Sequence, residues 1–163
     1  MAKTSTRTTV FDASPETLLE VLTSAAFQEK QRRIDEAVVD AKFVEISRTE
    51  DRLEYELRST EYERGMTGLN KKKTIKSVTR VTWDLRARKG TWTYSTPAYD
   101  RFKLSGAHAI EASGDRARYV AGFTVEVKVP LLGGKIEGMI AEGMTKGSER
   151  WDALLREFLA KAK

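Results

Sequence analysis

From Ala37 to Val127 the apolar residues of this chain recur at every second position, segment after segment, and from Gly133 onward they recur every third or fourth. A period of two puts alternate side chains on opposite faces of a strand. A period near 3.6 gathers them on one side of a helix. A long run of strands followed by one long helix cannot make an alternating βα fold with a parallel sheet, and it leaves an antiparallel sheet with a single large helical partner. Leu53, Tyr55 and Leu57 alternate with Glu54, Glu56 and Arg58, and Ile75, Val81, Trp83 and Leu85 with Lys76, Arg80, Asp84 and Arg86. Trp92 and Tyr94 continue the pattern after a predicted turn at Lys89-Gly90. Phe102, Leu104, His108 and Ile110 follow, then Tyr119, Ala121, Phe123, Val125 and Val127 after the turn Ser113-Gly114-Asp115. Six or seven antiparallel strands result, with one face in water.

Ahead of this run, Thr4 to Asp12 reads as a strand in which Thr6, Thr8 and Val10 alternate with Ser5, Arg7 and Thr9. Ser14-Pro15-Glu16-Thr17 then supplies a capping hydroxyl, a first-turn proline and an early acid, and Leu18, Leu19, Val21 and Leu22 give a helix its apolar stripe. A second short helix over Ala25 to Arg33 has little apolar content and is expected on the surface, held by Phe27. After Val129-Pro130 closes the last strand, Gly133-Gly134 opens a helix of about 28 residues, roughly 42 Å long, enough to cross the sheet. Ile136, Ile140, Met144, Trp151, Leu154, Leu155 and Phe158 fall in its sheet-facing arc. The expected fold is α+β, a curved antiparallel sheet wrapped around the C-terminal helix, as one domain over residues 1–163.

A concave sheet held off by one helix leaves a space that side chains fill or a ligand occupies. Its predicted lining mixes apolar residues with Tyr55, Ser59, Ser77, Thr79, Tyr94, His108 and Tyr119, and a few converging polar groups in an apolar cavity are what orient a small molecule. His108, the one imidazole, points inward by its alternation with Phe102, Leu104 and Ile110. It has no acid in its own strand register, so it serves either as a core residue or as an acid or base. Gly143 and Gly147 are placed inside the apolar arc of the long helix, between Ile140, Met144 and Trp151, beside the adaptable Met139 and Met144. Each costs about 1 kcal/mol of helix stability relative to Ala, so either the sheet approaches closely there or a pocket remains. Glu137, at the edge of the arc, is expected to pair with a surface Lys or Arg. Arg64 to Asn70, with Met66 and Leu69 between glycines, is either a lid or a plain hairpin loop.

Several chemistries are excluded by composition. There is no cysteine and one histidine, so thiol catalysis, disulfides and most zinc or iron ligand sets are absent, and no metal or cofactor is expected. No Gly-x-Ser-x-Gly elbow or phosphate loop appears; Gly133-Gly134 lacks the following Lys-Ser/Thr. The net charge of +5 is spread along the chain, with one cluster at Lys71, Lys72, Lys73 and Lys76 that reads as a solvated hairpin loop. No nucleic-acid-binding motif accompanies it, and nucleic acid is not an expected partner. No apolar run approaches a membrane span or a signal-peptide core, so a soluble, cytoplasmic protein without integral membrane association is expected.

Ala13-Ser14-Pro15-Glu16 at the first strand-to-helix junction, Trp83 in a long mid-chain strand and the terminal helix together resemble the START-like, Bet v 1-like (SRPBCC) superfamily with its helix-grip fold. Within it, Val127-Lys128-Val129-Pro130-Leu131-Leu132-Gly133-Gly134-Lys135-Ile136-Glu137 is similar to the segment typical of the bacterial DUF2505 family. The resemblance implies a cavity for a hydrophobic or amphipathic ligand, lipid-like or aromatic, between sheet and helix. The residues expected to line it are Tyr55, Trp83, Trp92, Tyr94, His108, Phe123, Ile140, Gly143, Met144, Gly147 and Trp151. Because the superfamily also contains polyketide aromatase/cyclases, a second reading is an enzyme using His108 with a cavity tyrosine such as Tyr94. A third is a protein-interaction module without ligand.

Overall fold

The structure is a computed structural model, which describes residues 2–65 and 67–162. Its elements run β1 (Ala2–Phe11), α1 (Pro15–Leu22), α2 (Ala25–Arg32), β2 (Val38–Arg48), β3 (Arg52–Gly65), β4 (Gly68–Asp84), β5 (Lys89–Ser95), β6 (Phe102–Ser113), β7 (Arg116–Val127) and α3 (Gly133–Lys161). The strands form one antiparallel sheet in the order β1-β7-β6-β5-β4-β3-β2. The two short helices and α3 lie on its concave side, which is the expected helix-grip arrangement.

Short-range chemistry sets the helix starts. Ser14 Oγ accepts the Thr17 N–H at 3.2 Å with Pro15 in the first turn, and Ser24 Oγ caps α2 through the Phe27 N–H at 3.3 Å. Phe27 is fully buried, as its isolation in a polar helix suggests. The main core gathers Phe11, Leu18, Leu22, Phe27, Leu53, Tyr55, Trp83, Leu155 and Leu159, and joins both short helices to the C-terminal half of α3.

Three expectations are corrected. The turn before β5 is Leu85–Arg88, with Arg88 at φ 54°, and Lys89-Gly90 already belongs to the strand. Lys71, Lys72 and Lys73 lie within β4 rather than in a loop, as a bulge that β3 leaves unpaired where the register passes from Tyr62 opposite Thr74 to Glu63 opposite Asn70. The strands then pair as far as Gly65 and Gly68, which places Leu69 opposite Arg64 and shortens the proposed lid to a tight hairpin turn; Met66 lies outside the described residues. The alternation of β1 resolves with Arg7, Thr9 and Phe11 toward the helices, while Val10 is 36% exposed. The inward arginine is held because its guanidinium meets Asp152 of α3 at 2.7 Å and lies 5.2 Å from the Trp151 ring centroid.

Candidate functional site

Strand register turns the concave face into rows. One row runs Leu53, Trp83, Gly90, His108, Ala121 and Arg7; the next runs Tyr55, Val81, Trp92, Gly106, Phe123 and Ser5. Beyond it lies the row Leu57, Thr79, Tyr94, Leu104 and Val125, and then Ser59 opposite Ser77. Each of the first two rows contains a glycine over which a large ring lies. A Cβ at Gly90 would meet His108 Nε2 at 2.5 Å and Trp83 at 2.9 Å, and one at Gly106 would meet the Trp92 indole at 2.4 Å. The glycines are therefore beds for aromatic rings, a role that alternation alone does not reveal.

Over Gly90, Trp83 and His108 stack with centroids 4.1 Å apart and planes 18° from parallel. The chain of rings continues through Tyr119, whose hydroxyl meets His108 Nδ1 at 3.0 Å, to Trp151, stacked on Tyr119 at 5.3 Å and edge-on to Phe27 at 5.5 Å. Burial alone pushes the His108 pKa down to about 4, so the imidazole is neutral near pH 7. Burial likewise raises the hydroxyl pKa of Tyr55 and Tyr119 well above the ordinary tyrosine value. The Trp83 N–H lies near enough to the Tyr55 hydroxyl to oppose that rise, yet outside hydrogen-bonding geometry.

At the other side of the sheet a carboxylate is built into the inner face. Glu61, 2% exposed, accepts from Arg32 Nη2 at 2.8 Å, from the Tyr94 hydroxyl at 2.7 Å and from the Ser77 hydroxyl. Tyr94, pushed up first by burial and then by the Glu61 charge, stays protonated and donates. His108 and Tyr94 thus take different partners, Tyr119 and Glu61. Glu61 and Arg7 both escaped the sequence reading, although each had a signal. Glu61 continues the inward register Leu53, Tyr55, Leu57, Ser59, and Arg7 shares the register of Phe11.

Glu137 is corrected as well. It is 2% exposed and its carboxylate accepts the Val127 N–H at 2.8 Å, tying α3 to the end of β7 where a surface ion pair was expected. Gly143 and Gly147 have no atom within 4 Å of an added Cβ, which excludes close packing of the sheet against them; Gly143 is exposed to solvent, so it does not line the space under the helix as expected, and only Gly147 is half-buried. The two glycines share the side of α3 that carries Leu154 a few turns on. There Leu154 borders a surface recess of about 550 Å³ with Ala26 and Ile34.

The expected lining residues therefore divide. Tyr55, Trp83, His108 and Trp151 belong to or pack on the main core, whereas Phe123 and Ile140 pack with Phe102, Leu104, Ile136 and Val125 in a second, smaller apolar cluster. Trp92, Tyr94 and Met144 are half-buried. Sheet contacts of α3 concentrate on β7 and β1, so the inner face of β4, β5 and β6 beyond them is only partly covered. Among the described residues no cluster of three or more His, Asp or Glu could hold a metal, and no helix is long and apolar enough to cross a membrane.

The family model described as "Protein of unknown function (DUF2505)" matches residues 6–159. The chain belongs to the DUF2505 family. The DUF2505 fold seen here superposes on several solved structures, and it is START-like and Bet v 1-like. Ara h 8.0201 matches with a TM-score of 0.66 at 12% identity over 99% of both chains. The Zhui aromatase/cyclase from Streptomyces sp. R1128 matches with a TM-score of 0.65 at 13% identity, over 100% of this chain and 97% of that one. A START superfamily protein from Mycobacterium smegmatis matches with a TM-score of 0.60 at 16% identity, over 98% and 99%. At such identities the likeness concerns the fold. No curated protein matches the chain.

Proposed function

We propose that this DUF2505 chain binds a small hydrophobic or amphipathic molecule between the concave face of β4–β6 and the N-terminal half of α3. The observation that carries the reading is the state of that concave face. It is apolar and aromatic and only half covered, with Trp92, Tyr94 and Leu104 half-buried, and three buried side-chain polar atoms lack a partner among the described residues: Ser59 Oγ on the adjoining β3, Trp83 Nε1 on β4 and His108 Nε2 on β6. Buried polar atoms are ordinarily satisfied, so such orphans mark where a ligand group or an ordered water completes the structure. Open space over the half-buried Gly147 supports an entrance along α3. That START-like proteins include one named an aromatase/cyclase is compatible with an enzyme. A neutral His108 paired with Tyr119, with no carboxylate partner, favours binding over proton transfer.

Native mass spectrometry of freshly purified protein, followed by solvent extraction, tests the reading. The expected result is a stoichiometric apolar adduct, lost in a Gly147→Leu variant that keeps its thermal stability and retained in Gly143→Leu at the exposed position. A bare mass, together with no thermal shift from a panel of lipids and polyketides, would remove the ligand reading and leave the protein-interaction module.

A further inference from the structure

The segment Val127–Glu137 is the most distinctive stretch of the sequence, and most of it has a structural reason. Glu137 accepts the Val127 N–H, Gly133 donates its N–H to Val129 at 2.8 Å, and a Cβ on Gly133 would come within 2.3 Å of the Val127 carbonyl oxygen. These contacts pin the connection between β7 and α3. They do not explain Leu131. This leucine has φ 66°, in the left-handed region that favours glycine, and its side chain is 104% exposed. Leu132 beside it is 45% exposed, and Met139, two helical turns on along the same side of α3, is 56% exposed. A glycine at 131 would suit the backbone better and a polar residue would suit the solvent better. The fold thus gains nothing from leucine at this position, and the reason for it lies in contact with something else.

The surroundings say what. Lys128 and Lys135 flank the tip and are exposed, and the Lys128 N–H bonds the Arg101 carbonyl at 2.8 Å, which brings the β5–β6 connection alongside. Arg101 and Lys103 are exposed there, and the antiparallel order puts Lys3 of β1 and Lys71 and Lys72 of β4 at the same end of the sheet. Facing acids are fewer. Glu126 lies 4.0 Å from Lys128, Glu63 is paired with Lys73 at 3.0 Å, Asp100 adjoins Arg101, and Glu142, paired with Lys146 at 2.9 Å, also faces Lys3. A projecting pair of leucines ringed by lysines offers neither the flat area nor the pocket that a folded protein partner needs. It matches a fluid apolar phase beneath a negatively charged surface.

We infer that the β7–α3 tip docks the protein on anionic lipid bilayers, with Leu131 and Leu132 entering the acyl boundary and Lys128, Lys135, Arg101 and Lys103 against the headgroups. This does not depend on the ligand reading; a protein that carries no adduct could still dock.

The test is co-sedimentation of the full chain with vesicles of phosphatidylcholine alone and of phosphatidylcholine mixed with phosphatidylserine. Wild type is expected to bind the mixed vesicles more tightly, in a salt-sensitive way. Leu131→Gly should weaken that binding by about tenfold or more, the scale of withdrawing one leucine from an apolar phase. Because glycine accepts the backbone angle, the same variant should melt at the same or a higher temperature. Lys128→Glu combined with Lys135→Glu should abolish the preference for phosphatidylserine. The inference is overturned if wild type ignores the mixed vesicles, if Leu131→Gly binds them as well as wild type, or if Leu131→Gly melts lower, which would give the leucine a structural role. It also fails if the double charge reversal leaves the lipid preference intact.

Discussion

The two halves of α3 belong to one uninterrupted helix and do different work. Its C-terminal half buries Leu154, Leu155 and Leu159 against α1, α2 and the sheet, and Trp151 closes a chain of rings that reaches Tyr119, His108 and Trp83. Its N-terminal half is fastened at its start by Glu137 and carries Ala141 inward, but leaves Gly143 and Gly147 facing open space and Met139 in solvent. The C-terminal half makes the core. The N-terminal half holds a rim. A single helix thus serves stability at one end and access at the other, and the difference comes from what its buried positions carry, Leu154, Leu155 and Leu159 at one end against Glu137 and Ala141 at the other.

Core truncation should separate the halves most strongly. Leu155→Ala removes a fully buried side chain and should cost about 3 to 4 kcal/mol in urea unfolding, whereas Ile140→Ala, half-buried in the smaller cluster, should cost about 1 to 2. Equal losses would mean that both halves are core.

Acid should strike the sealed half next. His108 has a folded pKa near 4 against about 6.5 when unfolded, so between these values the unfolded chain binds more protons and stability falls as pH falls. The loss should begin near pH 6.5 and reach about 3 kcal/mol near pH 4. Urea titrations of wild type and His108→Gln across this window isolate the effect, because the carboxylates contribute equally to both. If the two slopes coincide, the imidazole is solvated and the ring stack is not sealed.

The smallest effect should have the opposite sign. Gly143→Ala and Gly147→Ala add a methyl that meets nothing and should each raise stability by about 0.5 to 1 kcal/mol through helix propensity. Their melting temperatures provide the check. A decrease at either position would show that the open half closes over the site in solution.

Most of the fold was legible because it depends on local patterns. Alternation identified the strands, and Ser14 announced a helix start through a cap that spans three residues; Ser24 caps α2 in the same way, a signal the sequence reading passed over. Hairpin ends were less legible. Lys89-Gly90 looks like a turn by residue type, but its glycine is demanded by Trp83 and His108 meeting above it, from β4 and β6. Of the candidate site, the inward direction of Tyr55, Trp83, Trp92, Tyr94, His108 and Phe123 followed from register. Their division between a sealed stack and a half-open cluster did not, since it depends on where along the sheet α3 and α2 come to rest.

What the sequence determined by itself is therefore the set of elements, their order and the face each side chain presents, all products of short-range geometry and apolar period. Tertiary structure alone decided which buried polar groups meet: Arg7 with Asp152, Glu61 with Arg32 and Tyr94, Glu137 with the end of β7. These partners are as many as 145 residues apart. Nothing in a linear pattern encodes such a distance. They are found because a charge or N–H taken from water must be satisfied by whatever the completed sheet and helices bring within reach.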